Sequence, residues 1–429
     1  MENLNEVSIP RKTFKQFLWL WATQYISLIG SQLVSFSVTW FLTIETGSSL
    51  ILSLSTISNM VPMILVSPFA GVIADRRSKN KILFISDAVQ AFATFVLIML
   101  FFFGIFEIWQ ILVLMGIRGI CQGFQMPVAV SLNSLMVPKK FIQKINAFDR
   151  VFMALLSIVT PIAGAFLIQI MPINQIYWFD VITCVPTLIV LLIVKIPRVA
   201  TQGTGKLHFL EDFKISVRYM HETKLIPPFI LFGLANFFVV PLFSLLPLLL
   251  QNYHGGLERE FGFLMASVQV GFFIGGLILM LIKKQPKMKG VVIWAFINSF
   301  VLLALAAIPN TVSWNFWAIY VVGFVLGLCI TFIDTQLITI LQIVIPREYQ
   351  GRIFSSLFTL IKSIMPLGLI IWGALAEFTG IWFQFILTPI LSIISFIILG
   401  LSTPIFKFDE IHTTQPPSEK TPPASSENL

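Results

Sequence analysis

I-L-S-L-S-T-I-S-N-M-V-P-M-I-L-V-S-P-F-A-G-V-I-A-D-R-R-S-K-N-K-I-L-F-I-S-D-A-V-Q-A-F-A-T-F-V-L-I-M-L-F-F runs from Ile51 to Phe102. Two long apolar stretches flank a short loop that carries Arg76, Arg77, Lys79 and Lys81. A bilayer core about 30 Å thick is crossed by roughly 20 apolar residues in a helix. The stretches are continuous rather than alternating, and backbone left unpaired in lipid is costly, so helices rather than barrel strands are expected.

The same pattern extends in both directions. The chain has 429 residues, 57% of them hydrophobic and 11% charged, against about 25% charged in soluble domains. Its outside must therefore face lipid. Spans are expected near 16–43, 51–74, 82–104, 108–137, 146–169, 176–195, 226–250, 261–282, 290–308, 314–344, 354–376 and 382–402. The expected fold class is an all-α membrane protein with twelve transmembrane helices in two pseudo-symmetric six-helix bundles.

Charge orients the spans. Bases fall in alternate loops: Arg11, Lys12 and Lys15; Arg76 to Lys81; Lys139, Lys140 and Lys144; a central group from Lys195 to Lys224; Lys283 to Lys289; and Arg347 with Arg352. The opposite loops carry Glu45, Glu107, Glu258, Glu260 and Glu377, with Arg259 as their base. The positive-inside rule then puts both termini in the cytoplasm and the chain in the inner (cytoplasmic) membrane. The net charge of +8 is topological and does not indicate a nucleic-acid partner, which calls for a concentrated basic face. Cys121, Cys184 and Cys329 lie inside spans without disulfide or metal spacing. The basic N-terminus leads into a full-length span and reads as an anchor.

The chain divides into an N-terminal bundle (1–196), a linker (197–224), a C-terminal bundle (225–408) and a polar, proline-rich tail (409–429) expected to be disordered. In the linker, Leu210, Phe213, Val217 and Met220 oppose Glu211, Lys214, Arg218 and Glu222, the pattern of an amphipathic surface helix. The halves echo one another at an offset of 208: Gly119, Cys121, Phe124 and Val137-Pro138 match Gly327, Cys329, Phe332 and Ile345-Pro346. A duplicated unit of this kind places its substrate site between the halves.

Buried charge is costly in a bilayer and marks function. Polar stripes suggest a hydrated cavity: Gln24 and Ser31 in the first span, Arg118, Gln122, Gln125 and Asn133 in the fourth, Thr331 and Asp334 in the tenth, Thr359 and Lys362 in the eleventh. Interhelical hydrogen bonding by small polar residues is the competing explanation. Asp334 and Lys362 lie at matching depths, about 16–18 Å from the cytoplasmic face by helical rise, and are expected to pair. Asp180, early in the sixth span near the outer face, is a candidate proton carrier, with a polar residue at the membrane interface as the alternative. Asp87 and Asp149, near cytoplasmic helix ends, are expected to bond to loop bases or a helix N-terminus, with proton coupling as the alternative.

The loop from Gly71 to Leu83 resembles the signature of the major facilitator superfamily, at Gly71, Asp75, Arg76 and Lys79, with Arg77 beside them and departures at Ser78 and Asn80. Arg118, Gln122 and Gly123 resemble the family's R-x-x-Q-G element, and Pro161 with Gly164 part of the G-P-x-x-G-G motif of drug:proton antiporters. Thr46-Gly47-Ser48, Asp180 and the segment Pro346 to Ser355 look most like the macrolide-efflux type. The resemblance implies a monomeric secondary transporter in contact with membrane lipid, exporting amphiphilic small molecules in exchange for protons. A lipid, lysophospholipid or siderophore-like metabolite is the alternative cargo. A receptor or scaffold lacks a soluble domain to support it. Without a Cys–His or His–carboxylate constellation or a phosphate-binding glycine loop, neither an enzyme, a metal or cofactor site nor an ATP-driven pump is expected.

Overall fold

The structure, a computed structural model, describes residues 9–197, 218, 220–311 and 315–413. Most of the linker and the tail beyond 413 lie outside the described residues, as do the surroundings of Gly71 and the side chains of Asp75, Arg76 and Thr359. Of the expected linker helix, 218 and 220–222 are helical, with Met220 buried and Arg218 paired to Glu222. The expectation of disorder from 409 is corrected at its start, where 408–413 form a helix and Asp409 is hydrogen-bonded.

Helices α1 (Arg11–Thr46), α2 (Ser49–Arg76), α3 (Lys79–Phe103), α4 (Ile108–Met136) and α5 (Lys139–Ile170) form the first five spans. The sixth joins one turn, α6 (Ile173–Ile176), to α7 (Trp178–Ile193). Spans seven to twelve are α8 (Ile226–Asn252), α9 (Glu258–Leu281), α10 (Met288–Ala307), α11 (Asn315–Val344), α12 (Arg347–Thr379) and α13 (Ile381–Ser402). A 3-10 turn (Pro404–Lys407) and α14 (Phe408–Thr413) follow. The described residues thus contain twelve helices long and apolar enough to span a membrane. Large apolar side chains such as Leu192, Met280, Phe378 and Leu401 stand exposed on them, as a lipid-facing surface requires.

Local chemistry ends the helices where the sequence breaks its apolar runs. Gly47 (φ +58°) and Gly104 (φ +65°) take the left-handed conformation that terminates α1 and α3. Ser48 then caps α2, its Oγ accepting from Ile51 N at 3.2 Å. Thr46-Gly47-Ser48 is therefore a stop and a start in three residues.

The described residues fall into two compact units, one drawn from Met1–Gly203 with Gly256–Ala266 and the other from Thr204–Gly255 with Ser267–Leu429. Within the first, α1 packs on α5 and α7, and α3 on α4 and α7. Within the second, α8 packs on α12 and α13, and α10 on α11 and α13, the same scheme repeated. Two glycines at the 208-residue offset enforce a further matched pair. A Cβ on Gly119 would meet Asn59 O of α2 at 2.0 Å, and one on Gly327 would meet Val268 O of α9 at 2.1 Å. Both helices approach a neighbour's backbone closely enough that only hydrogen fits.

Each unit also ties the start of its third span to the chain leaving its sixth. Asn80 Nδ2 donates to the carbonyls of Leu191 (3.1 Å) and Val194, and its Oδ1 accepts from Ile196 N at 3.1 Å. In the second unit Asp409 accepts from Met288 N at 3.1 Å through both oxygens, while Ile405 and Phe408 are buried against the core around Met220, Leu225 and Met288.

Candidate functional site

Helices α1, α3, α4 and α7 converge in the first unit on a buried polar centre. Gly30 makes the approach possible: a Cβ there would lie 2.6 Å from Asp180 Cα and 2.3 Å from Thr183 Oγ1. The Arg118 guanidinium of α4 meets Asp180 of α7, Nη1 to Oδ2 at 2.6 Å, with side chains 1% and 3% exposed. Thr94 Oγ1 donates to the same carboxylate oxygen at 2.5 Å and Ser31 Oγ to the other at 2.7 Å. Gln90 Nε2 donates to Ser31 Oγ at 2.8 Å, and Arg118 also donates to Thr94 Oγ1. Buried charge is tolerable when paired and hydrogen-bonded in this way.

One face of α3 continues the site. Asp87, Gln90 and Thr94 follow at helical spacing, and all three are buried. Asp87 accepts from Gln24 Nε2 at 3.0 Å and from Gln125 Nε2 at 2.6 Å. Both donors are neutral, and no cation pairs with this carboxyl among the described residues, although it is 4% exposed.

A third carboxyl sits on α5. Asp149 Oδ1 accepts from Trp21 Nε1 at 2.5 Å and Tyr25 OH at 2.9 Å, and Oδ2 from Asn133 Nδ2 at 3.3 Å. The expectation that Asp87 and Asp149 would bond to loop bases or a helix terminus is thus corrected. Their partners are side chains of neighbouring spans, because both carboxyls point across the bundle rather than along their own helix ends.

The polar stripes supply these donors: Gln24 and Ser31 from α1, Gln125 and Asn133 from α4. Gln122 is half-buried and makes no hydrogen bond with a described residue, while Gly123 packs on α2, where a Cβ would meet Met63 O at 2.9 Å. Pro161 lies inside α5 and Gly164 beside it accommodates the Phe36 ring, 2.7 Å from a notional Cβ. Of the loop signature, Arg77 is exposed and ends α2, and Lys79 begins α3.

The second unit differs from expectation. No ion pair joins Asp334 to Lys362, although both side chains are described. Equal depth is not enough: α11 packs on α10 and, at Gly327, on α9, whereas α12 packs on α8 and α13. Asp334 is half-buried with no hydrogen-bond partner among the described residues. The Thr331 hydroxyl is used at the helix contact, donating to Gly327 O at 3.0 Å and Phe272 O at 3.3 Å.

Comparison with known proteins agrees with this architecture. A family model described as transmembrane secretion effector matches residues 10–427. Macrolide efflux protein A of Streptococcus pyogenes is 27% identical over 397 residues, covering 92% of this chain and 97% of that protein. Macrolide efflux protein A of Enterococcus faecalis is 26% identical over 326 residues, covering 75% and 100%. The solved nucleoside transporter NupG superposes with a TM-score of 0.70 at 12% identity, covering 93% of this chain and 100% of that one, a likeness of fold. The chain belongs to the transmembrane secretion effector family and is a multi-pass membrane transporter of the major facilitator superfamily.

Proposed function

We propose that this transporter exports amphiphilic small molecules of the macrolide type in exchange for protons, as a monomer with both termini in the cytoplasm and by alternating access, and that Asp87 takes the proton. The observation that carries this reading is the buried Asp87 carboxyl, held by two neutral carboxamides and without an ion pair among the described residues, while Arg118 is committed to Asp180. Gain or loss of a proton at Asp87 leaves no cation stranded. Protonating Asp180 would leave Arg118 buried without a counter-charge, a penalty of several kcal/mol. Arg118–Asp180 therefore positions the helices, and Asp87 is free to change charge. Asp334, half-buried and without a hydrogen-bond partner among the described residues, is a second proton-carrying candidate in the other unit. The cargo class is supported by relatives named for macrolide efflux that align over most of the chain.

Proteoliposomes with an imposed pH gradient test the reading. Erythromycin should accumulate on the acidic side of the membrane and stop accumulating when the gradient is collapsed. Accumulation indifferent to the gradient would refute exchange, and transport of lysophospholipid alone would replace the cargo.

A further inference from the structure

A ring stack holds the starts of α1 and α5 side by side. Phe14 and Phe141 lie 5.3 Å apart between centroids at an interplanar angle of 4°, and both pack on a core of the first unit. Further along, Trp21 meets Asp149 and Tyr25 meets Phe152, so the two helices run in the same direction. Successive residues of an α-helix turn by about 100°. Lys15, one after Phe14, and Lys140, one before Phe141, therefore leave the contact on the same side of the pair. Lys140 rests over the Phe141 ring, Nζ 5.1 Å from its centroid, at the junction itself. Arg11 and Lys144 stand one turn away from these two on the same helix faces. All four bases are exposed, and none forms an ion pair with a described residue. Neither helix has an acid in its first turn. Asp149, the first acid along α5, is turned inward to Trp21, Tyr25 and Asn133.

The same faces turn apolar further along. On α5, Phe148, Val151 and Leu155 continue the row begun by Lys140 and Lys144 and stand exposed, and on α1 the exposed Leu18 follows Lys15. Bases at the end of an exposed apolar row match an amphiphile with a negative head. We infer that Arg11, Lys15, Lys140 and Lys144 bind the headgroup of an anionic phospholipid in the leaflet on the N-terminal side, its acyl chains lying along Phe148, Val151 and Leu155. The positive-inside rule accounts for bases at that end of the spans. It does not require four of them on one side of a single helix pair with no acid among them. Each base near an anionic surface adds to the attraction, which fades within a Debye length, so bases gathered at one junction act on one headgroup. A soluble anion would gain nothing from the apolar row beneath. The lipid is a resident partner rather than cargo, and its binding does not depend on the exporter reading.

Native mass spectrometry of the full chain in detergent, with dioleoylphosphatidylglycerol or dioleoylphosphatidylcholine added at equal concentration, reads the bound lipid. The wild type should hold phosphatidylglycerol at least about ten-fold more tightly than phosphatidylcholine. Lys15→Gln/Lys140→Gln/Lys144→Gln should lose that preference, and the matching triple arginine variant should keep it. Lys283→Gln/Lys284→Gln/Lys287→Gln removes the same charge from the loop before α10 and should keep the preference within about two-fold. Glycerol 1-phosphate, the head without its chains, should not displace the lipid. No preference in the wild type, a preference that survives the first glutamine variant, or equal loss in both glutamine variants would overturn the site. Displacement by glycerol 1-phosphate would also overturn it, in favour of a soluble anion. If the first glutamine variant fails to fold, Lys15→Glu decides the question: it should weaken phosphatidylglycerol binding at least about three-fold, and unchanged binding would overturn the site.

Discussion

Arg118 on the fourth span and Asp180 on the sixth close a 2.6 Å ion pair in a place almost without solvent. Removing one partner of such a pair costs about 3–5 kcal/mol, because the other is left buried and charged. Asp180→Asn and Arg118→Leu should each lower the unfolding free energy by roughly that amount. The double variant Arg118→Met/Asp180→Leu should recover most of it. Denaturant titration in detergent, followed by tryptophan fluorescence, measures all three.

Gly30 sits where α1 crosses α7 against the backbone of Asp180. Gly30→Ala forces that crossing apart and should cost about 1–3 kcal/mol. Gly276→Ala is the matched control, since no atom lies within 4 Å of its notional Cβ. Its melting temperature should be unchanged or slightly raised.

His254, in the loop after α8, is 6% exposed, and neither ring nitrogen has a hydrogen-bond partner among the described residues. Burial lowers its pKa below the ordinary 6.5. The unfolded chain then binds the proton more readily than the folded one, so stability holds above pH 6.5 and falls as the pH drops from there through the folded value. Melting temperatures between pH 7.5 and pH 5 should decline in the wild type, and His254→Leu should flatten that decline.

Asp409 fastens the last helical turn to the start of α10. Asp409→Ala should cost about 1 kcal/mol, the usual value of a lost helix-terminal acceptor. Hydrogen exchange should quicken at Met288 and across Phe408–Thr413, while the first unit is unaffected.

The span count was legible because lipid demands long apolar runs, and the alternation of basic and acidic loops keeps step with that count. The duplication was legible at Gly119 and Gly327 because close helix packing leaves a residue-type requirement in the sequence. The donors Gln24, Ser31, Gln125 and Asn133 stood out as polar stripes. Their acceptors were harder to assign, because pairing depends on which helices touch. Matching depth alone favoured Asp334 with Lys362, on helices that pack elsewhere. The Arg118–Asp180 pair was obscured by the start of the sixth span. Read from 176, it leaves Asp180 near the membrane surface, whereas the helical segment begins with the short α6 at Ile173, and Asp180 is buried among α1, α3 and α4. Gln90 and Thr94 were missed, although with Asp87 they form a polar stripe along α3.

Proton movement at Asp87 is the central claim, and drug-evoked proton flux tests it most directly. Proteoliposomes loaded with a pH-sensitive dye and no pre-set gradient receive erythromycin on one side. The wild type should move protons in the opposite direction to the drug, and Asp87→Asn should bind erythromycin yet move none. Equal drug-evoked proton flux in wild type and Asp87→Asn would contradict the claim.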